Sequence, residues 1–163
     1  MDTATLQQTV EQMSEEMSLP RGFLEGLLKE DDWSFVIKAH AFLEAVLTNV
    51  LIEAFQWPEL KNLLARLDMS DVRIGKVKFA VAIGIIKKDG ERFLRELSKL
   101  RNDLVHDIGN LGFNFKEHLS GLDRNQEKAF VDSLSYFASD EDLKERYKLS
   151  ETSCLIIRRG LSG

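Results

Sequence analysis

The chain has 163 residues, 44% of them apolar, and a formal net charge of −5. That is long enough for one domain with a proper core. It is too apolar for a disordered chain and too acidic overall for a bulk nucleic-acid binder. A single cysteine, Cys154, excludes an internal disulfide framework and a cysteine-based zinc site, and it fits a reducing, cytoplasmic compartment. Residues 1–12 carry no basic n-region and no apolar h-region, so no secretory signal is expected. No apolar run reads as long enough to cross a membrane.

Taken in order, residues 3 to 18 place Leu6, Val10, Met13 and Met17 at helical spacing, and Pro20 stops that helix. Arg21 to Glu30 predicts a short helix weakened by Gly22 and Gly26, after which Asp31 and Asp32 offer N-cap oxygens. Trp33 to Gln56 is the longest predicted helix and the central one, apolar over most of its circumference. His40, Glu44 and Thr48 form a polar line on it. The favoured reading is a surface ion pair; the other is a seam facing a partner chain or Arg101. Pro58 suits a first helical turn, and Leu60, Leu63, Leu64 and Leu67 give a helix to about Leu67. Asp68 to Asp71 reads as a connector, with Ser70 as N-cap.

From Val72 to Lys87 the β-branched content hints at strand. A run of about sixteen residues with Ala80, Ala82 and Gly84 is better read as a tightly packed helix ending at Lys87 and Lys88. Asp89-Gly90 then turns the chain into a helix whose buried face is Phe93, Leu97, Leu100 and Leu104. Asp107 to Gly121, with three glycines, predicts a loop of about fifteen residues holding His118. Asp123 and Gln126 predict a capping box for a helix to Phe137. Ser139 and Asp142 start another short helix. Cys154 to Ile157 is a last apolar patch, within a tail of uncertain role over 150–163. The expectation is one all-α domain over 1–163, with a core about 33–138. Its form is an antiparallel helical bundle of four to five long helices with short ones appended.

The densest polar chemistry lies at the end of the Phe93–Leu104 helix, in Arg101-Asn102-Asp103-Leu104-Val105-His106. The approach to it is basic. Residues 73–101 hold nine basic side chains, Arg95 and Lys99 among them, and three acidic ones. A phosphate-bearing ligand would meet a favourable local field there. Asn102 and His106 stack four apart on one helix side, whereas Arg101 and His106 lie about 140° apart around the axis. The latter two meet on one molecule only if the helix ends or bends near His106. Otherwise they meet across a symmetric dimer. His106 is suited to general acid–base work, Arg101 to phosphate oxygens, and Asn102 to orienting His106 or contacting the phosphate. The same groups also fit a hydrogen-bonded knot that closes the helix end. His118 is read as a surface histidine that can approach the same site.

This hexad resembles the R-x4-H signature of the HEPN domains, small helical bundles of which many are metal-independent ribonucleases acting as dimers. The chain is also similar to the mannitol operon repressor family. That likeness rests on Trp33-Ser34-Phe35-Val36-Ile37-Lys38-Ala39, on Val81-Ala82-Ile83-Gly84-Ile85-Ile86, and on Leu100-Arg101 with Leu104 and His106-Asp107. The first resemblance implies a homodimer that cleaves RNA with Arg101, His106 and Asn102 catalytic and no cofactor or metal. Lys99, Arg95, Asp103 and His118 are the candidate binding residues around the hexad, and the resemblance admits a toxin or defence role with an antitoxin or regulatory protein as partner. The second implies a non-catalytic regulator acting through a protein partner. No helix-turn-helix or basic recognition helix is present, so direct DNA binding is not expected, nor is a membrane partner.

Overall fold

The computed structural model describes residues 18–134. Within them the chain is all-α, with no strand among the described residues. We number the helices α1 Phe23–Leu27, α2 Asp32–Phe55, α3 Lys61–Arg66, α4 Lys76–Ala82, α5 Lys88–His106, α6 Phe115–Ser120 and α7 Arg124–Leu134. Single 3₁₀ turns occupy Pro58–Leu60 and Ile108–Gly112. Two of the described helices are long, α2 with 24 residues and α5 with 19. The expected four to five long helices are therefore not found among the described residues. The helices read over 3–18 and from Ser139, and the Cys154 patch, lie outside those residues, as does the far end of the helix predicted to reach Phe137.

α2 begins where its sequence says it should. Asp31 accepts the Ser34 backbone N–H at 2.9 Å and the Ser34 hydroxyl at 2.6 Å, so the first turn has its cap. The helix packs against α3, α4 and α5. Phe35, Val36, Ala39, Leu47 and Leu51 from α2 meet Phe93, Leu94, Leu97, Leu100 and Leu104 from α5 in the main core, with Val77 and Ala80 of α4 between. By length and composition α2 passes as a membrane-span candidate, contrary to the sequence reading. A core helix passes the same test, and the buried face of α2 is its contact with α4 and α5. Three further apolar side chains of α2, Leu43, Val46 and Val50, line a groove of about 200 Å³ closed on the other side by Ile85, Ile86 and Phe93.

The segment expected as one helix from Val72 to Lys87 is a turn, a short helix and a second turn. Asp71 holds the first turn by accepting the N–H groups of Arg73 at 2.7 Å and Ile74 at 2.9 Å. These bonds favour its ionised form and lower its pKa. Ser70 does not cap α4. The connector's own carbonyls do so, Asp68 O receiving Lys76 N and Met69 O receiving Val77 N, each at 3.0 Å. Gly84, at φ 79°, ends the helix. Ile85 N reaches back to Ala80 O at 2.9 Å and Gly84 N to Val81 O at 3.1 Å, the two bonds of a Schellman cap. A periodicity count cannot see this, because the isoleucines beyond Gly84 continue the apolar run without continuing the helix. Lys87 and Lys88 consequently open α5 rather than close a preceding helix, and Asp89 and Gly90 lie inside its first turns.

The segment 107–121 is not an open loop either. Asp107 accepts Gly109 N at 2.8 Å to start a 3₁₀ turn. Asn114 caps α6 by accepting Lys116 N at 2.9 Å and Glu117 N at 3.3 Å. The predicted capping box on α7 forms. Asp123 Oδ1 accepts Gln126 N at 2.9 Å while Gln126 Oε1 accepts Asp123 N at 3.0 Å.

Gly75 tests the tightest point of this architecture. A Cβ there would lie 2.5 Å from Asp71 O and 2.6 Å from Asp71 N, both backbone atoms of the turn that delivers α4. Gly75→Ala is expected to destabilise the protein by about 1–3 kcal/mol, read as a lower midpoint in urea unfolding with an unchanged slope.

Candidate functional site

α5 runs unbroken through the hexad, and His106 is its last residue. Its carboxyl end is pinned by long-range bonds. Trp33 Nε1 donates to Leu104 O at 3.4 Å and Asn110 Nδ2 to Asp103 O at 2.9 Å, so two of the helix's terminal carbonyls find side-chain donors. Asp32 Oδ2 accepts Phe115 N at 2.9 Å, tying α6 to the start of α2. The hexad therefore sits where the amino end of α2, the carboxyl end of α5 and the 3₁₀ turn converge.

Leu104 is buried, as the periodicity required. Arg101 is half-buried, and its Nη1 donates to Asn102 Oδ1 at 2.9 Å. Asn102 is also half-buried, while His106 is exposed. Because the helix is continuous, Arg101 and His106 leave it about 140° apart. Val105, 41% exposed, lies between them on the helix surface. Ile108 and Leu111, exposed by 84% and 58%, follow directly in the 3₁₀ turn. One chain thus presents Arg101 and His106 on either side of exposed Val105, with exposed Ile108 and Leu111 in the turn that follows.

Arg95 belongs elsewhere. Its Nε meets Glu91 Oε1 at 3.0 Å and its Nη1 donates to Ser70 O at 2.8 Å, which ties α5 to the connector before α4. Lys99, Asp103 and His118 come together instead on the other flank of α5. They line a groove of about 360 Å³ between α5, α6 and α7, shared with Glu96, Gln126 and Phe130. Lys99 Nζ lies 3.7 Å from Glu96 Oε1. The His118 ring stands between those of Phe113 and Phe130, with centroids 5.5 and 5.1 Å away. Burial pushes the His118 pKa down, and the Asp103 carboxylate opposes the shift.

Sequence reasoning missed the contribution of Glu96, Gln126 and Phe130 to this groove. The signal was there as spacing. Glu96, Lys99 and Asp103 share one face of α5, and Gln126, Phe130 and Ser133 share one face of α7.

The polar line on α2 is not a surface pair, and its His40 lies near enough to Arg101 to feel that charge. His40 and Thr48 are buried, and Glu44 turns inward to the Lys76 ammonium at 2.8 Å, where the lysine side chain is only 2% exposed. Ser98 Oγ donates to Leu94 O at 2.8 Å, which leaves its lone pairs to receive the His40 Nε2–H at 3.2 Å. That arrangement selects the neutral Nε2–H tautomer. Burial lowers the His40 pKa most. The Arg101 and Lys76 charges add to the shift, and Glu44 and Asp68 oppose it. No group of three or more metal-ligating side chains is gathered among the described residues.

Comparison of the chain with protein-family models, curated proteins and solved structures finds no match.

The two depressed histidines set a pH dependence. The unfolded chain takes up protons as pH falls below the ordinary histidine value of 6.5, whereas folded His40 and His118 resist protonation. Their stabilising contribution is therefore present above 6.5 and is lost as pH falls from there toward the lower folded values. Urea unfolding at about pH 7.5 and about pH 5 should show lower stability at the acid value. In His40→Gln the difference between the two should shrink.

Proposed function

We propose that this protein is a HEPN-like helical bundle acting as a homodimeric, metal-independent endoribonuclease, with Arg101 of one chain and His106 of the other completing a shared site. The observation that carries this reading is the end of α5. There an exposed imidazole and a half-buried guanidinium flank exposed Val105, and exposed Ile108 and Leu111 follow in the next turn. Exposed apolar side chains of this kind are what a protein partner covers. A two-fold contact through them sets His106 of one chain toward Arg101 of the other, a juxtaposition the continuous helix denies within one chain.

The chemistry then follows from residue types. His106 removes the proton from a ribose 2′-hydroxyl or returns one to the leaving oxygen. With two chains, two imidazoles serve the two transfers. Arg101 holds charge on the phosphate oxygens as it builds, and its bond to Asn102 sets the guanidinium plane beforehand. The basic excess over residues 73–101, apart from Lys76 buried against Glu44, favours the approach of a polyanion to an otherwise acidic protein.

These exposed apolar side chains equally suit a second reading, a non-catalytic regulator of the mannitol-repressor kind that docks on another protein there. RNA cleavage separates the two. In the presence of EDTA the wild type is expected to cut RNA, and His106→Ala, whose exposed side chain supports no part of the core, is expected to fold normally and lose at least about a hundredfold of the rate. Absence of cleavage by the wild-type dimer would leave the regulator.

A further inference from the structure

The groove of about 360 Å³ between α5, α6 and α7 opens beside the hexad, and nothing in the reaction just described uses it. Its volume falls in the range of small-molecule sites. One wall is the α5 face carrying Glu96, Lys99 and Asp103, and the opposite wall is α7 with Gln126 and Phe130. Lys99, Asp103 and His106 fall at i, i+4 and i+7, so His106 stands at the end of the same stripe, one turn beyond Asp103. From this we propose that the groove is a nucleobase subsite, specific for guanine, that seats the base of an RNA strand beside His106. In its placement next to His106 the inference rests on the nuclease reading. The binding itself does not.

The groove's chemistry argues for a base and against a phosphate. Two carboxylates, Glu96 and Asp103, line it, and ionised carboxylates only accept hydrogen bonds. A phosphate would be repelled, whereas adjacent N–H groups would be held. Glu96 already faces Lys99. Asp103 makes no ion pair among the described residues, so its carboxylate is the one left to a ligand.

Of the four RNA bases, guanine alone carries a ring N–H next to an exocyclic amino group on its pairing edge, a match for the two oxygens of one carboxylate. Adenine and cytosine set an amino group beside a ring lone pair, which a carboxylate repels. Uracil sets one N–H between two carbonyl oxygens. Lys99 adds a donor for the guanine carbonyl oxygen. Flat surfaces are present too. The Phe130 and His118 rings lie 5.1 Å apart at 55°, and aromatic and histidine rings are the usual platforms for splayed-out RNA bases. Burial lowers the His118 pKa and so favours the neutral imidazole, which adds no second cation to the groove.

The test is calorimetric titration of the full chain with guanosine, adenosine, cytidine and uridine, which lack phosphate and so avoid the basic surface. Guanosine is expected to bind at least about tenfold more tightly than the other three, and Asp103→Asn to weaken guanosine by a similar factor. Asp103 is exposed, so that variant should melt with the wild type. Phe130→Leu, which keeps an apolar side chain, should also weaken guanosine by removing the ring face. Equal binding of all four nucleosides, no binding of guanosine, or an Asp103→Asn protein that binds guanosine as the wild type does would each overturn the proposal. Guanosine binding without RNA cleavage would keep the subsite and remove the nuclease. Cleavage without guanosine binding would do the reverse.

Discussion

Everything at the surface of this protein depends on how α5 is held against α2. The apolar contact is broad, with five buried side chains from each helix in the main core. Apolar contact alone would tolerate sliding and rotation, since it has little direction. The polar contacts fix the register. The His40–Ser98 bond joins the two helices at mid-length, and the Trp33 indole reaches the Leu104 carbonyl at the end where the hexad sits. Glu44 and buried Lys76 tie α4 into the same layer. Each partner of that pair would be costly to bury alone, so the set acts as a registry device.

From that register follows what the hexad can do. With Leu100 and Leu104 fixed inward, the helix geometry dictates where the other side chains emerge. Arg101 emerges close enough to the α2–α4–α5 polar layer for its charge to lower the His40 pKa. His106 emerges into solvent on the far side, in line with Lys99 and Asp103. The arginine and the histidine of one chain thus leave the helix about 140° apart. A partner chain is the means by which the two come together in the reading we favour. The groove under His118 belongs to the histidine's flank.

The large features were legible in the residues. The span of α2, its aspartate cap, the buried seam of α5, the α7 capping box and the position of His106 at a helix end all came from spacing and side-chain chemistry. The errors have physical causes. The 72–87 segment was read by apolar period, but an Asp71-centred turn and a left-handed Gly84 cut the helix at both ends. Glycine composition made 107–121 look like loop, while Asn114 supplies a cap that starts a helix there. The four-residue spacing of His40, Glu44 and Thr48 fits a surface ion pair as well as a buried layer. The partner of Glu44, Lys76, stands 32 residues away, and no local pattern announces it. Lys99, Asp103 and His118 stand with Arg95 as candidates in the sequence. Their meeting in one groove required the tertiary fold, as did the separation of Arg95 from them.

The central claim is that Arg101 and His106 work across two chains. Complementation between variants tests it most directly. Arg101→Ala and His106→Ala proteins are each expected to be inactive alone, and a mixture allowed to exchange subunits should regain RNA cleavage, because the mixed dimer restores one site from the two surviving side chains. A mixture that exchanges subunits yet stays inactive would contradict the shared site.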